Sequence, residues 1–338
     1  MMQTLEKLKA LDLPAFCNAH GLEVFENVSL SKYSYLKTGG TARYVVYPRS
    51  VDSLVSILAH LVETGQRFKI IGNTSNLLFK DATDYSVLIC TLWLNDISVV
   101  NGELVAECGA SLPELSRQAL YSGFRGFEGL EGIPGTVGAG IFMNAGAYGS
   151  EIKDTLLAVD FAEPDGAVRR ISAAQLGLDH RSSLLRKGEL DGTILRAYFK
   201  GMPGNVTSIY SKMELFHEKR HRYQDFLYPN LGSLFSGSPY DVFARRDKSV
   251  RWMMKYDLWR RRFAKYFLKG TPTDRKWINA YLVKRLGLSY SIQPFSDKTM
   301  NCLVNRGQGT DAMIAYIQQM QALTGGKIPL ENEILEAF

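Results

Sequence analysis

Two stretches of this chain carry residue types suited to holding a phosphate. The first is Ile70-Ile71-Gly72-Asn73-Thr74-Ser75-Asn76-Leu77-Leu78, where a short apolar run leads directly into small and amide side chains. A strand that ends this way presents consecutive backbone N–H groups, and such a row can cradle an anion such as a pyrophosphate. The same loop also reads as a plain strand-to-loop turn. It contains neither a GxGxxG fingerprint nor a Gly-Lys-Ser/Thr phosphate loop. The second stretch has 8 glycines in the 24 residues 126–149. Glycine loses more backbone freedom on folding than any other residue, so a packed core has no use for this density. Close approach of main chain to a ligand does. Residues 128–149 include no Lys or Arg, so an anion bound there is bound by backbone N–H groups.

The elements that must position these loops follow from periodicity. Residues 2–25 read as a short helix and a connector. A turn at Gly39-Gly40 precedes a strand at 42–47. Val51, Leu54, Val55, Leu58, Leu61 and Val62 recur at helical spacing and predict an amphipathic helix over 51–64. Phe68–Ile71 and 87–91 are short apolar strands, so the first 90 residues form an α/β unit. Strands at Ile97–Val100 and 104–107 flank an Asn101-Gly102 turn. A helix over 112–122 starts at Ser111, with Glu114 three residues on as a capping box. Beyond the second loop, 157–163 and 168–171 read as a hairpin around Pro164-Asp165-Gly166-Ala167. A strand at 194–200 follows, then helices near 209–216, 277–286 and 311–323.

Charge narrows the function. The chain has 338 residues, with 40 Lys plus Arg against 34 Asp plus Glu, a net of +6. Residues 239–276 hold 12 bases and 4 acids, or +8; the remainder holds 28 bases and 30 acids, or −2. The basic character belongs to one segment, which argues against a nucleic-acid-binding protein. Within that segment Trp252, Tyr256, Trp259, Phe263 and Phe267 form a helical stripe, with Arg251, Lys255, Arg262, Lys265 and Lys269 mainly off it. The favoured reading makes the stripe domain core and the charges a solvated face. A basic helix over 249–269 lying on an anionic membrane surface is a second reading. Attraction of a pyrophosphate-bearing substrate is a third. Hydrophobic content of 46% and charged content of 22% are those of an ordinary globular protein. No apolar run approaches the roughly 20 residues of a membrane span, and the N-terminus lacks the apolar core of a signal peptide, so cytoplasmic residence is expected. The scattered Cys17, Cys90, Cys108 and Cys302 read as reduced structural thiols. The histidines form no HExxH cluster, and no metal is expected.

GIPGTVG followed by NAGAYG and Glu151, over residues 132–151, resembles the signature of the UDP-N-acetylenolpyruvoylglucosamine reductase (MurB) family. GNTSNLL resembles that family's GxGSNLL flavin loop, with Thr74 in place of the second glycine. The resemblance runs over about residues 33 to 335 and is stronger in the first 200. It implies an α+β fold: a FAD-binding domain of the vanillyl-alcohol-oxidase (PCMH) type in two α/β subdomains, 33–92 and 93–205. A C-terminal α+β substrate domain, 206–338, follows, and 1–32 is left as a helical extension. It implies non-covalent FAD, NADPH as reductant and a UDP-sugar as substrate. The flavin-binding candidates are then Gly72, Asn73, Thr74, Ser75, Asn76 and Leu77 in the first loop. In the second they are Gly132, Ile133, Pro134, Gly135, Thr136, Gly138, Asn144, Gly146, Ala147 and Tyr148.

The resemblance also implies a catalytic set. Asp179-His180-Arg181-Ser182-Ser183 resembles the YRDSxxK element, which places Arg181 on the substrate carboxylate as a bidentate partner. Lys219-Arg220 through Gln224, then Tyr228-Pro229-Asn230-Leu231-Gly232-Ser233, resembles KRxxxQ and YPSAGS. Ser233 becomes the proton donor, effective only against a strongly basic enolate in a dry site. Arg220, Gln224 and Asn230 become substrate contacts. Leu330-Glu331-Asn332-Glu333-Ile334 resembles LExEV and makes Glu333 the carboxyl that assists the enol. Glu331 and Glu336 read as solvated. The pattern departs from the family at His180, at Ser236-Gly237-Ser238 where KNP is usual, at Asn279–Val283 where AGWLI is usual, and over 290–295. These departures leave open a flavin enzyme for another nucleotide sugar in surface-polysaccharide synthesis, or a non-catalytic flavin- or membrane-binding relative.

Overall fold

The computed structural model describes residues 12–267 and 275–338. Helix α1 (Leu13–Ala19) is capped by the Asp12 carboxylate on the Ala15 N–H and buries Leu13 and Cys17. Strand β1 (Glu23–Ser29) pairs antiparallel with β2 (Thr41–Tyr47). The expected helical extension over 1–32 is therefore corrected: its described part supplies a helix and an edge strand of the first sheet. Residues 1–11 lie outside the described residues. Strand β1 shows no alternation, because its three middle residues, Phe25, Glu26 and Asn27, are all exposed.

Helix α2 (Val51–Glu63) follows the predicted spacing, starts at a Ser50/Ser53 capping box and buries Leu54, Ile57, Leu58 and Leu61. Strands β3 (Phe68–Ile71), β4 (Leu77–Phe79) and β5 (Asp84–Cys90) come next. The first sheet has the order β1-β2-β5-β3, with the last three strands parallel. The parallel arrangement requires crossovers, and α2 supplies one.

The second sheet is antiparallel. Strands β6 (Ile97–Val100) and β7 (Glu103–Glu107) are joined by Asn101 and Gly102, both at positive φ, as a tight hairpin needs. After helix α3 (Leu112–Tyr121) come β8 (Leu156–Ala162), β9 (Val168–Ser172) and β10 (Thr193–Lys200), in the order β9-β8-β10-β7-β6. At the start of α3 the Ser111 hydroxyl accepts from the Glu114 N–H, as expected. The Glu114 carboxylate does not close the box; it turns to Gln118 and Arg117. One buried cluster joins α1, α2, the second sheet and the second glycine loop through residues such as Leu13, Leu61, Phe161 and Val137.

Helices α4 (Val206–Tyr223), α5 (Pro239–Arg246), α6 (Lys248–Phe267), α7 (Lys276–Arg285) and α8 (Thr310–Thr324) make up most of the C-terminal part. Their core includes Phe235, Tyr240, Phe295 and Tyr316, and it also takes in Leu36 from the turn before β2 and Leu78 from β4. Strand β11 (Thr299–Leu303) lies among these helices, and β12 (Glu333–Leu335) returns to pair in parallel with β4.

The aromatic stripe of α6 is not core. Trp252, Tyr256, Trp259, Phe263 and Phe267 are exposed, while Val250, Asp257 and Ala264 are buried. Asp257 is buried with its partners: Arg260, Arg261 and Arg275 surround it at 3.1, 2.7 and 3.7 Å, and a charge held inside needs such pairing. Lys269 lies outside the described residues. All four cysteines are unpaired and buried, as expected. Burial pushes the Cys108 and Cys302 thiols up to about 12 and Cys17 up to about 11, which leaves them inert near neutrality.

Candidate active site

Both glycine-rich loops open onto one cavity of about 530 Å³, within the range of small-molecule sites. Gly72 through Leu77 line one side, all six first-loop candidates. Gly135, Thr136 and Gly138 line another, at the start of the short helix Val137–Phe142. The loops touch: a Cβ on Gly72 would sit 2.3 Å from Thr136 Oγ1, and one on Gly138 would sit 3.1 Å from Cys108 Cβ. Glycine is needed at Gly72 for this approach and not for a special φ. Thr136 Oγ1 is buried and has no hydrogen-bond partner, which leaves a polar atom on the cavity wall without a protein mate. A buried hydroxyl without a partner costs roughly 1–3 kcal/mol, so a ligand atom there is favoured. Gly72→Ala is expected to fold and to bind flavin about tenfold more weakly, because the Cβ over-packs the contact. The ratio of flavin to protein absorbance after gel filtration measures this.

Thr74 sits at φ 52°, left-handed backbone that a β-branched residue adopts at a cost of about 1–2 kcal/mol. The Tyr35 N–H donates to Thr74 Oγ1 at 2.9 Å and offsets part of that cost. A threonine is therefore tolerated where the family pattern has glycine.

Ala139, Phe142 and Met143 of the second loop also line the cavity. Gly132, Ile133, Pro134, Asn144, Gly146, Ala147 and Tyr148, expected to touch the cofactor, do not line it. Asn144 is fully buried and is spent within the loop. Its amide donates to Glu151 and to the Asp179 carbonyl, and its oxygen accepts from the Lys153 N–H. Glu151, which closes the motif, also meets Lys153 and His180. Burial pushes its carboxyl up, but the bonds from Lys153, His180 and Asn144 outweigh burial and hold it below the ordinary range. Gly146 and Ala147 form a small hairpin with 150–151. Tyr148 stacks on Phe216 at 4.4 Å. This half of the motif builds a scaffold under the helix that faces the cavity.

Glu333 lines the cavity, and its register explains why. Pairing of β12 with β4 sets Glu333 opposite Leu77, at the end of the first loop. The Glu333 N–H donates to the Asn76 carbonyl, and the Asn76 amide donates to the Glu331 carbonyl. Sequence reasoning missed Lys69, whose Nζ lies 3.4 Å from Glu333 Oε2 on the same wall. It sits in a strand read only as apolar.

Arg181 occupies a tight turn between Asp179 and Ser182 and adopts φ 52°. Strain of this kind persists where surrounding contacts over-determine it. Those contacts are present: Nε donates to Glu331 Oε1 at 2.8 Å, Nη1 to the Asn144 carbonyl at 3.4 Å and Nη2 to the Gly146 carbonyl at 2.7 Å. A guanidinium has five N–H groups, so two remain for a ligand. Glu331 is corrected from a solvated glutamate to the mostly buried partner of Arg181, with its side chain 14% exposed. Arg186, also missed, donates to the carbonyls of Arg181, Leu330 and Glu331 and clamps that segment. Glu336 is exposed, as expected, although it pairs with Lys80 at 2.8 Å.

Ser233 is exposed between the buried Leu231 and Leu234 and is not on the cavity wall. Its backbone is tied to the same segment. The Asn332 amide reaches the Ser233 carbonyl at 3.4 Å and Asn76 Oδ1 at 2.8 Å, and the Glu331 N–H donates to the Leu234 carbonyl. Residues 330–333 thus bond to the Arg181 side chain and to the Ser233 backbone, from two distant parts of the chain, while Glu333 itself faces the cavity.

Two expected substrate contacts are placed differently. The Asn230 side chain is spent on its own turn, with Nδ2 on the carbonyls of Asp225 and Tyr228 and Oδ1 accepting from the Gly232 N–H. Arg220 is buried beneath the second loop. It donates to the Gly129 carbonyl at 3.1 Å, and Gly132 lies so close that a Cβ would meet Arg220 Cδ at 2.9 Å. Burial lowers its pKa. Gln224, half-buried, ends α4 and gives its carbonyl to Lys298.

The fold and these loops define a flavoprotein. A model of the FAD binding domain family matches residues 42–172, and the residues of the cavity fit that cofactor: the Thr136 hydroxyl awaits a partner and Gly72 stands at closest approach. The chain is an FAD-dependent oxidoreductase. It is 36% identical over 217 residues to a UDP-N-acetylenolpyruvoylglucosamine reductase of Lactobacillus delbrueckii subsp. bulgaricus, covering 64% of this chain and 72% of that protein. A second such reductase, from Carboxydothermus hydrogenoformans, is 37% identical over 213 residues, covering 63% of this chain and 70% of the relative. The crystal structure of the reductase (MurB) from Thermus caldophilus superposes with a TM-score of 0.67 at 24% identity, over 93% of this chain and 99% of that one. The chain belongs to the UDP-N-acetylenolpyruvoylglucosamine reductase family.

Proposed function

We propose that this protein reduces UDP-N-acetylglucosamine enolpyruvate to UDP-N-acetylmuramate, a step of peptidoglycan precursor synthesis, in the cytoplasm. One observation carries the reading: the 330–333 segment, which sets Glu333 on the wall of the cavity shared by both glycine loops, also holds the Arg181 side chain and the Ser233 backbone by hydrogen bonds. FAD would be held by 72–77 and by Thr136, and when bound would supply hydride, with NADPH as its source. The two unused N–H groups of Arg181 meet the substrate carboxylate and stabilise charge that develops on it. Glu333, held by Lys69, assists from the cavity side. The Ser233 hydroxyl delivers the proton to the adjacent carbon once substrate excludes water from its exposed position. Arg220, Asn230 and the Asn144–Tyr148 hairpin support the site from outside. The unit that binds FAD starts with α1 and not at 33, since β1 belongs to its sheet.

Lys69→Met is expected to keep flavin and to lower turnover by up to about 10²-fold, the scale of a misplaced catalytic group. Steady-state kinetics on flavin-loaded protein measure this. The function itself is tested by NADPH consumption. Oxidation that starts only when UDP-N-acetylglucosamine enolpyruvate is added supports it, and inertness toward that substrate with response to another nucleotide sugar overturns it.

A further inference from the structure

We propose that the outer face of α6 seats the protein on an anionic lipid bilayer. The face is aromatic and open: Trp252 is 69% exposed, Tyr256 54%, Trp259 58%, Phe263 43%, Tyr266 77% and Phe267 71%. Contiguous exposed apolar surface of this kind marks an interaction site. The rings form a ribbon along the helix, with centroids 5.9 Å apart for Tyr256 and Trp259, 5.5 Å for Trp259 and Phe263, and 4.7 Å for Phe263 and Phe267. At about 100° per residue they occupy one arc, and Lys248, Arg251, Lys255 and Arg262 occupy the arc beside it. The one acid of α6, Asp257, is turned inward onto its three arginines, so no described carboxylate of the helix is exposed.

Aromatic side chains on one arc, bases beside them and no exposed acid match the acyl boundary and anionic headgroups of a bilayer surface. Trp and Tyr favour that interface. A second copy of the chain fits less well, because apposing two such faces would bring like charges together without a carboxylate to meet them. No helix among the described residues is long and apolar enough to cross a membrane, so the contact is peripheral.

The test is co-sedimentation of flavin-loaded protein with vesicles. Expected is binding to phosphatidylcholine vesicles that contain phosphatidylglycerol, little binding to pure phosphatidylcholine, and loss of binding as salt is raised. Lys255→Gln/Arg262→Gln should weaken binding on the order of 25-fold, at about fivefold per base. Trp259→Ser/Phe263→Ser should weaken it by about tenfold or more through lost apolar burial. Both variants should keep flavin content and vesicle-free turnover, which shows that they fold. Equal vesicle binding by wild type and variants, or no binding by active wild type, overturns the proposal. So does concentration-dependent dimerisation that Trp259→Ser/Phe263→Ser abolishes without any vesicle binding.

Discussion

Ser233→Ala is expected to leave flavin reduction by NADPH intact and to lower turnover of the enolpyruvyl substrate on the order of 10³-fold, the contribution of one well-placed general acid. The separation arises because the hydroxyl lies outside the cavity that holds the cofactor. It is exposed and makes no hydrogen bond among the described residues, so removing it disturbs little else. Stability and flavin content should match wild type. Rapid mixing separates the two half-reactions: reduction by NADPH at the wild-type rate, then slow reoxidation by substrate. Slowing of both halves together would refute the assigned role.

Arg181→Met is expected to act on two quantities at once. Removing the guanidinium takes away donors to the substrate carboxylate, worth on the order of 10²- to 10³-fold in turnover. It also strands Glu331, 2.8 Å away and mostly buried, at a cost of about 3 kcal/mol. The double variant Arg181→Met/Glu331→Gln separates the two effects. It should regain much of the lost melting temperature and none of the lost turnover. Recovery of turnover in the double variant would mean that Arg181 serves only to hold the 330–333 segment.

The structure tells which parts of this account local sequence can carry. Helix α2 and strand β3 were legible because their apolar residues repeat at one period and face one core. The first loop was legible because its glycine and amides follow a strand directly, and all six candidates reach the cavity. Strand β1 was not, because an edge strand with three exposed residues in its middle shows no alternation. Glu331 looked like a surface glutamate because its partner is 150 positions away, and only the fold brings Arg181 to it. The stripe of α6 forms one helical face, as its spacing predicts, but periodicity does not say which face turns inward. Here Asp257, ringed by its arginines, lies on the inner face and the aromatic rings lie outside. In the second loop, glycine density marked the right region and not the right atoms: Gly135, Thr136 and Gly138 meet the cavity, while Asn144 to Tyr148 brace it.

The most direct test of the central claim, that the flavin cavity and the residues tied to 330–333 form one reductive site, is a single-turnover measurement. FAD-loaded protein is reduced without oxygen, freed of NADPH and mixed with UDP-N-acetylglucosamine enolpyruvate. Return of the oxidised flavin absorbance, with one UDP-N-acetylmuramate formed per flavin, is the predicted result. Flavin that stays reduced in the presence of this substrate would contradict the account.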